Sequence, residues 1–342
     1  MKDLQGQLDT QKRKVDFDAY DITVKEIVNM VAQYIIDIAP EYQRLFQWRD
    51  DRQSKFIESV LLGIPVPSLF MATNPDGTWE VIDGVQRLST LIHFLDNDDA
   101  KIRTGISGDL ILKDLGKLSS FNNKKFSDMP KNIQMNFNLK PIKVTTLSDK
   151  SDKKVRFDLF ERLNTGGLIL SDQEIRNCIY KGEFRDFIKG LAHDHYFRKV
   201  VKLPKNKEVN ATYEELVLKF FAYLNDQSSF VHSVVDFLND YMEKATRKFD
   251  YNDNRKIFEY VFFTLASALP EGIKRKAKTP AILYEAMSVG AAKVYKKEKS
   301  INTNGIQSWM VSKDLEALTT GATNSPRMLR DRINYCIEKF SE

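Results

Sequence analysis

Apolar residues recur at two different periods along this chain, and the balance shifts near residue 180. Thr23-Val24-Lys25-Glu26 has the spacing of a capping box, and Ile27, Val28 and Val31 follow on one helical face. Phe56, Ile57, Val60 and Leu61 predict a second helix over 51–62, stopped by Gly63. Ile64-Pro65-Val66-Pro67 cannot be helix interior, because proline lacks the N–H and crowds the preceding turn. Ser68–Thr73 and Thr78–Ile82 flank the turn residues Asn74-Pro75-Asp76-Gly77 and read as a hairpin. Asp83-Gly84 breaks the second strand, and Leu88, Leu91, Ile92 and Leu95 then recur at helical spacing. Ile35–Ile38, Leu110–Leu112 and Pro141–Leu147 read as further strands. Val155, Leu159 and Leu163 form a helical stripe ended by Asn164-Thr165-Gly166-Gly167. Ser171-Asp172-Gln173-Glu174 is a second capping box and opens a helix through Tyr180. Beyond it the period is helical almost throughout: 213–224, 230–248, 254–269, 281–297 and 328–340. Residues 1–20 are polar and aperiodic. The pattern therefore predicts an α+β protein: a polar tail over 1–20, a small α/β domain over 21–180 and an all-α helical domain over 181–342.

Composition narrows the class. The chain has 342 residues, 42% hydrophobic and 29% charged, as expected of a folded protein. It has no apolar run of 18 residues, and its first residues lack an apolar signal core, so neither a membrane span nor secretion is expected. Cys178 and Cys336 stand far apart, which argues against a disulfide framework or zinc ribbon and for a reducing cytoplasm. The net charge of +5 is uneven: residues 1–100 carry 10 basic and 17 acidic residues, leaving +12 for the remainder. Phe197–Lys207 holds five basic residues and no acidic one, and residues 271–300 hold eight basic and three acidic. With Tyr196, Phe197, Tyr284 and Tyr295 nearby, Arg198, Lys199, Lys202, Lys205, Lys207, Lys274, Arg275 and Lys276 are candidates for tracking a nucleic-acid backbone. The plainer alternative is that these lysines keep amphipathic helices soluble.

Several chemistries are absent as motifs. There is no phosphate-binding G-x-x-x-x-G-K-[ST] loop and no G-x-S-x-G elbow. His193-Asp194-His195 lacks the further ligands of a metal site, and no HNH-type histidine and asparagine pattern is visible.

Two clusters carry chemistry instead. Val81-Ile82-Asp83-Gly84-Val85-Gln86-Arg87-Leu88 lies between a strand and a helix, where a helix N-terminus presents free N–H groups and a positive dipole end to a phosphate. Gly84 allows close approach and Arg87 can donate to phosphate oxygens. Asp83 can hold a cation or orient water, and Gln86 can position water or read a base edge. The alternative is a plain helix start capped by Asp83, with Arg87 in solvent. Phe160–Gly167 with Gln173–Asn177 gathers Arg162, Asn164, Gly166, Gly167, Glu174 and Arg176 at a helix–loop–helix corner open to a phosphate. Its alternative is a helix stop followed by a capping box, with both arginines as surface charges. Upstream, Arg44 and Trp48 form a smaller polar and aromatic cluster.

In order and spacing, these stretches together with Gly63-Ile64-Pro65-x-Pro67 resemble the DGQQR-motif family, over roughly residues 20–240. That family is similar to the ParB/sulfiredoxin-like domain at the N-terminus of GmrSD-type modification-dependent restriction enzymes. The resemblance implies a nucleotide site with NTP as ligand and Mg2+ as a candidate companion. Asp83, Gln86 and Arg87 would be its catalytic groups and Asp83 its metal ligand. Arg44, Gly84, Arg87, Arg162, Asn164, Gly166, Gly167, Glu174 and Arg176 would be its nucleotide or phosphate contacts. Val85 replaces the family's first glutamine, which removes a polar group and weighs against hydrolysis more than against binding. The implied function is a cytoplasmic, nucleotide-binding, NTP-hydrolysing and DNA-directed sensor of a restriction or anti-phage system. A separate nuclease or modification subunit would be its partner. A non-catalytic DNA-binding adaptor, or a nuclease using the α/β site itself, are the alternatives.

Overall fold

Residues 3–12, 16–38, 48–148, 153–163, 170–204, 211–275, 277–321 and 325–341 are described by a computed structural model. The chain divides into two units, Met1–Ile169 and Leu170–Glu342.

In the first unit, α1 (Leu4–Lys12) precedes β1 (Phe17–Thr23), and α2 (Val24–Ala32) follows. Thr23 Oγ1 accepts the Glu26 N–H, and Val24, Ile27, Val28 and Val31 form the buried face of α2. Next come β2 (Ile36–Asp37), α3 (Asp50–Leu62), β3 (Leu69–Thr73) and β4 (Trp79–Asp83). Then α4 (Val85–Phe94), α5 (Asp98–Thr104), α6 (Lys131–Asn138), β5 (Pro141–Leu147) and α7 (Lys153–Leu163) complete the unit. The strands form one mixed sheet in the order β1-β5-β3-β4-β2. β1 runs antiparallel to β5, β5 parallel to β3, β3 antiparallel to β4, and β4 parallel to β2. The expected hairpin sets Met71 opposite Val81 and Thr73 opposite Trp79, with an irregularity between Phe70 and Met71. α2 packs against α4 and α5, α3 against α4, and α7 against β4.

Two local readings change. Residues 17–20, expected in the polar tail, belong to edge strand β1. Nearly every side chain of β1 is exposed, so burial impressed no alternation on its sequence. Leu110–Leu112 is not a strand. Leu110 donates its N–H to His93 O and Leu112 to Lys124 O, and both side chains are buried.

The second unit holds α8 (Asp172–Ile179), α9 (Glu183–Leu191), α10 (His195–Val200), α11 (Thr212–Asp226) and α12 (Val234–Arg247). It continues with α13 (Tyr251–Ala268), α14 (Ala281–Glu298), α15 (Ile306–Trp309), α16 (Lys313–Thr319) and α17 (Pro326–Ser341). Phe197, Phe220, Phe258, Phe262 and Tyr284 form an aromatic core, mostly in edge-on or tilted contacts. α8, expected with the N-terminal domain, falls in this unit because its buried face packs on α11 and α12. The α+β plan with a helical C-terminal region is the one observed. Among the described residues, no helix is long and apolar enough to cross a membrane.

Candidate functional site

The Asp83–Arg87 segment is the turn from β4 into α4. Gly84 is the N-cap of α4, with φ +103° and ψ 12°, and supplies no side-chain cap. A Cβ at this position would lie 2.3 Å from Leu69 Cδ2 and 3.2 Å from Arg87 Nη2. Glycine is thus required both by the left-handed backbone and by the packing. The first turn of α4 is left without a side-chain cap, and its dipole favours an anion there.

Arg87 is only 9% exposed. Its Nη1 donates to Pro67 O at 2.7 Å and Ser68 O at 3.1 Å, and its Nη2 to Asp83 Oδ2 at 2.5 Å. Both sequence readings are therefore modified: Asp83 is not the helix cap, and Arg87 does not stand in solvent. The guanidinium clamps the entry of β3 to the end of β4. Asp83 is one carboxylate already engaged by a cation, and among the described residues no three His, Cys, Asp or Glu gather as a metal site. A Mg2+ at this turn would have Asp83 as its described protein ligand and would need phosphate and water oxygens for the remainder.

Gln86 opens a polar relay along α4. The Trp48 N–H donates to Gln86 Oε1 at 3.1 Å, and Gln53 Nε2 donates to Trp48 O at 2.7 Å. Gln53 Oε1 then lies 2.9 Å from His93 Nδ1, which assigns Nδ1 as the donor. Trp48 is held by the Arg52 guanidinium 4.5 Å above its ring and by Phe56. Burial pushes the His93 imidazole below its ordinary pKa, with Asp50 opposing and Lys101 adding to the shift. Beside His93 lies a polar cavity of about 280 Å³, lined by Ile38, Ser89, His93, Thr104 and Ser107. Gln86, Ser89 and His93 follow at i, i+3 and i+7 on the same helix. That spacing is the sequence signal that could have found this cavity, and it was masked by the stronger leucine stripe beside it.

Of the second cluster, Arg162, Glu174 and Arg176 lie among the described residues. Arg162 is exposed at the end of α7, whereas Arg44, Asn164, Gly166 and Gly167 lie outside the described residues. Glu174 is buried and closes a two-way capping box with Ser171. Arg176 is 1% exposed, with Nε donating to Asn239 Oδ1 at 2.7 Å and Nη1 to Gln173 Oε1 at 3.3 Å. Its Nη1 also lies 3.8 Å from Glu215 Oε2. From there a chain of charges runs inward: Glu215 to Lys219 at 3.0 Å, both half-buried, Lys219 to Glu285 at 3.6 Å, and Glu285 to Arg332, both buried, at 2.7 Å. Burial opposes the charge on Lys219, but Glu215 and Glu285 together outweigh it and raise its pKa. Against the expectation of phosphate contacts, Glu174 closes the start of its own helix and Arg176 ties α8 into the helical core, and both side chains are closed to solvent.

The basic stretches, by contrast, are brought together. The Ile273 N–H donates to Val200 O, and the Thr279 N–H to Lys202 O. The Lys202 N–H donates to Thr279 Oγ1 across 77 residues of sequence. Gly272 makes this possible, since a Cβ there would lie 2.5 Å from Val200 O. Lys199, Lys202 and Lys278 are exposed along this seam, with Lys274 beside them, paired to Glu271 at 2.7 Å. Two candidates are engaged internally: Arg198 stacks 3.5 Å over Tyr213 and donates to Ala192 O, and Arg275 donates to Thr319 Oγ1. Lys205, Lys207 and Lys276 lie outside the described residues.

Residues 24–181 match the family described as the N-terminal domain of the GmrSD restriction endonuclease. This segment is similar to that N-terminal domain. It contains the Asp83–Arg87 turn, the relay to His93 and α8 with its capping box. No curated protein matches the chain. Among solved structures, the Pnob8-like ParB-N domain is similar at 11% identity and a TM-score of 0.24, covering 96% of this chain and 99% of that one.

Proposed function

We propose that this protein is a nucleotide-binding, DNA-directed component of a restriction system, with the nucleotide phosphate at the start of α4 and DNA on the basic seam of the helical unit. The observation that carries the nucleotide reading is the strand–glycine–helix turn, in the segment similar to the GmrSD N-terminal domain: Gly84 holds the left-handed cap and supplies no side-chain cap to the first turn. Phosphate recognition there falls to backbone N–H groups and the helix dipole, with Arg87 bracing the turn. The cavity beside Ser89 and His93 on the same helix offers hydroxyl and imidazole groups to the rest of a ligand. Hydrolysis would need a water-activating group beyond Asp83, whose carboxylate is held by Arg87. That engagement favours a second reading, a non-catalytic DNA-binding adaptor.

Isothermal titration with each NTP, with and without Mg2+, tests the first reading. Gln86→Glu is the informative variant: the carboxylate still accepts the Trp48 N–H and suits a helix N-terminus, yet it repels phosphate. It should weaken NTP binding by about tenfold or more. No binding by the wild type, or equal binding by the variant, overturns the phosphate assignment. DNA binding that falls steeply with salt and ignores NTP would then support the adaptor. A nuclease or modification subunit is the partner that either reading calls for.

A further inference from the structure

The helical unit carries an aromatic pocket that neither motif explains. It has a volume of about 500 Å³ and is walled by Tyr196 on α10, Tyr260 and Phe263 on α13, and Tyr295 on α14. Tyr260 and Tyr295 stack with centroids 4.0 Å apart and planes 16° apart. Tyr196 meets Phe263 edge-on at 5.1 Å. The rings are fixed by one another, yet Tyr196 is 38% exposed and Phe263 50% exposed. Rigid aromatic faces shown to water at a concave site suit a flat, apolar-faced ligand.

The charges around the pocket choose between ligands. Its two carboxylates already have partners: Asp194 Oδ1 accepts the Phe197 N–H at 2.8 Å as the cap of α10, and Glu259 lies 3.8 Å from Arg255. The pocket therefore does not present an uncompensated acidic cage to a cationic ligand. Lysines border it: Lys256 lines it, and the Lys299 Nζ lies 5.6 Å from the Tyr295 ring. Lys199 follows Tyr196 by three residues on the exposed face of α10, so the two side chains are neighbours. Lys199 also begins the seam where residues 199–202 meet 272–279. Rings and cations thus adjoin on one surface.

We propose that this pocket takes an unpaired nucleobase of a DNA strand whose phosphates lie on the Lys199–Lys202–Lys274 seam. A base inside a duplex has both faces stacked and cannot enter, whereas a single-stranded or extruded base can stack on the face of Phe263 and lie against Tyr196, which stands perpendicular to it. This rests on the DNA reading above and adds to it the state of the DNA.

Fluorescence anisotropy of labelled oligothymidine and of a labelled duplex tests it across a salt series. Wild type should bind the single strand more tightly than the duplex. The Tyr196→Ala/Phe263→Ala variant should lose about tenfold or more in single-strand affinity, with duplex affinity and salt slope unchanged. The Lys199→Gln/Lys202→Gln/Lys274→Gln variant should lose affinity for both forms and show a shallower slope. Phe263→Trp keeps a stacking face and should keep single-strand affinity, which separates stacking from a folding defect. Unchanged single-strand affinity in the double alanine variant, with weakened binding in the lysine variant, overturns the pocket assignment and leaves the seam standing. Absence of DNA binding by the wild type overturns both.

Discussion

Nη2 of Arg87 lies 2.5 Å from Oδ2 of Asp83, four residues earlier at the end of β4, so the two charged residues of the turn engage each other. The same guanidinium donates to Pro67 O and Ser68 O, joining the approach to β3 with the end of β4. The groups that look most reactive in the sequence thus hold the turn in shape. What the turn offers outward is backbone: a left-handed glycine and the start of a helix.

Removal of the clamp should therefore destabilise the domain. Arg87→Ala leaves Asp83 without its cation and two carbonyls without their donor, at a cost of about 2–4 kcal/mol. Arg87→Lys keeps the charge but cannot reach all three acceptors, and should cost about 1–2 kcal/mol. Urea unfolding measures both, and a wild-type midpoint in Arg87→Ala would show the clamp to be dispensable.

Gly84→Ala and Gly77→Ala separate backbone strain from crowding. Both glycines have positive φ, +103° and +84°, so each substitution should cost about 1–2 kcal/mol from conformation alone. A methyl group at Gly77 meets nothing within 4 Å, whereas one at Gly84 meets Leu69 at 2.3 Å and should add about 1–3 kcal/mol. Thermal unfolding should place Gly84→Ala clearly below Gly77→Ala.

The buried pair Arg332–Glu285, at 2% and 5% side-chain exposure, predicts a larger loss from the single change than from the double change. Arg332→Met strands part of the Glu285 charge on Lys219 alone and should cost about 3 kcal/mol. Arg332→Met combined with Glu285→Leu should recover much of that loss. Denaturant unfolding of wild type, Arg332→Met, Glu285→Leu and the double variant gives the coupling directly; additive losses would mean that the two side chains do not interact.

His93 should make the first unit acid-sensitive. Burial lowers its folded-state pKa below the unfolded value of about 6.5. Near neutral pH both states are unprotonated there. As pH falls below about 6.5 the unfolded state takes up the proton first, so stability is lost as pH falls through the folded-state pKa. Stability against urea should therefore decline from neutral to mildly acidic pH, and His93→Gln should flatten that decline. An identical slope in the variant would place the sensitivity elsewhere.

The residues themselves determined the elements that need only near neighbours. The cap at Thr23, the two-way box at Ser171, the stop at Gly63 and the hairpin around Asn74–Gly77 are satisfied within a few residues, so short-range spacing predicts them. The helical periods of the second unit and the DGVQR segment between a strand and a helix were legible for the same reason, as was the likeness to the GmrSD-type domain. The strand β1 was not legible, because an exposed edge imposes no alternation. Only the tertiary structure decided where the charges went. Arg176 reads as a surface or phosphate-binding arginine in its own segment, but Asn239 and Glu215 come from distant helices and draw it into the core. Arg87 likewise finds its acceptors 20 and 19 residues earlier, at Pro67 and Ser68. The joining of Lys202 to Thr279, which makes one basic surface from two stretches, is equally invisible in either stretch alone. A cap or a helical stripe is set by bonds within one turn; the partner of a long charged side chain is set by which surfaces are buried together.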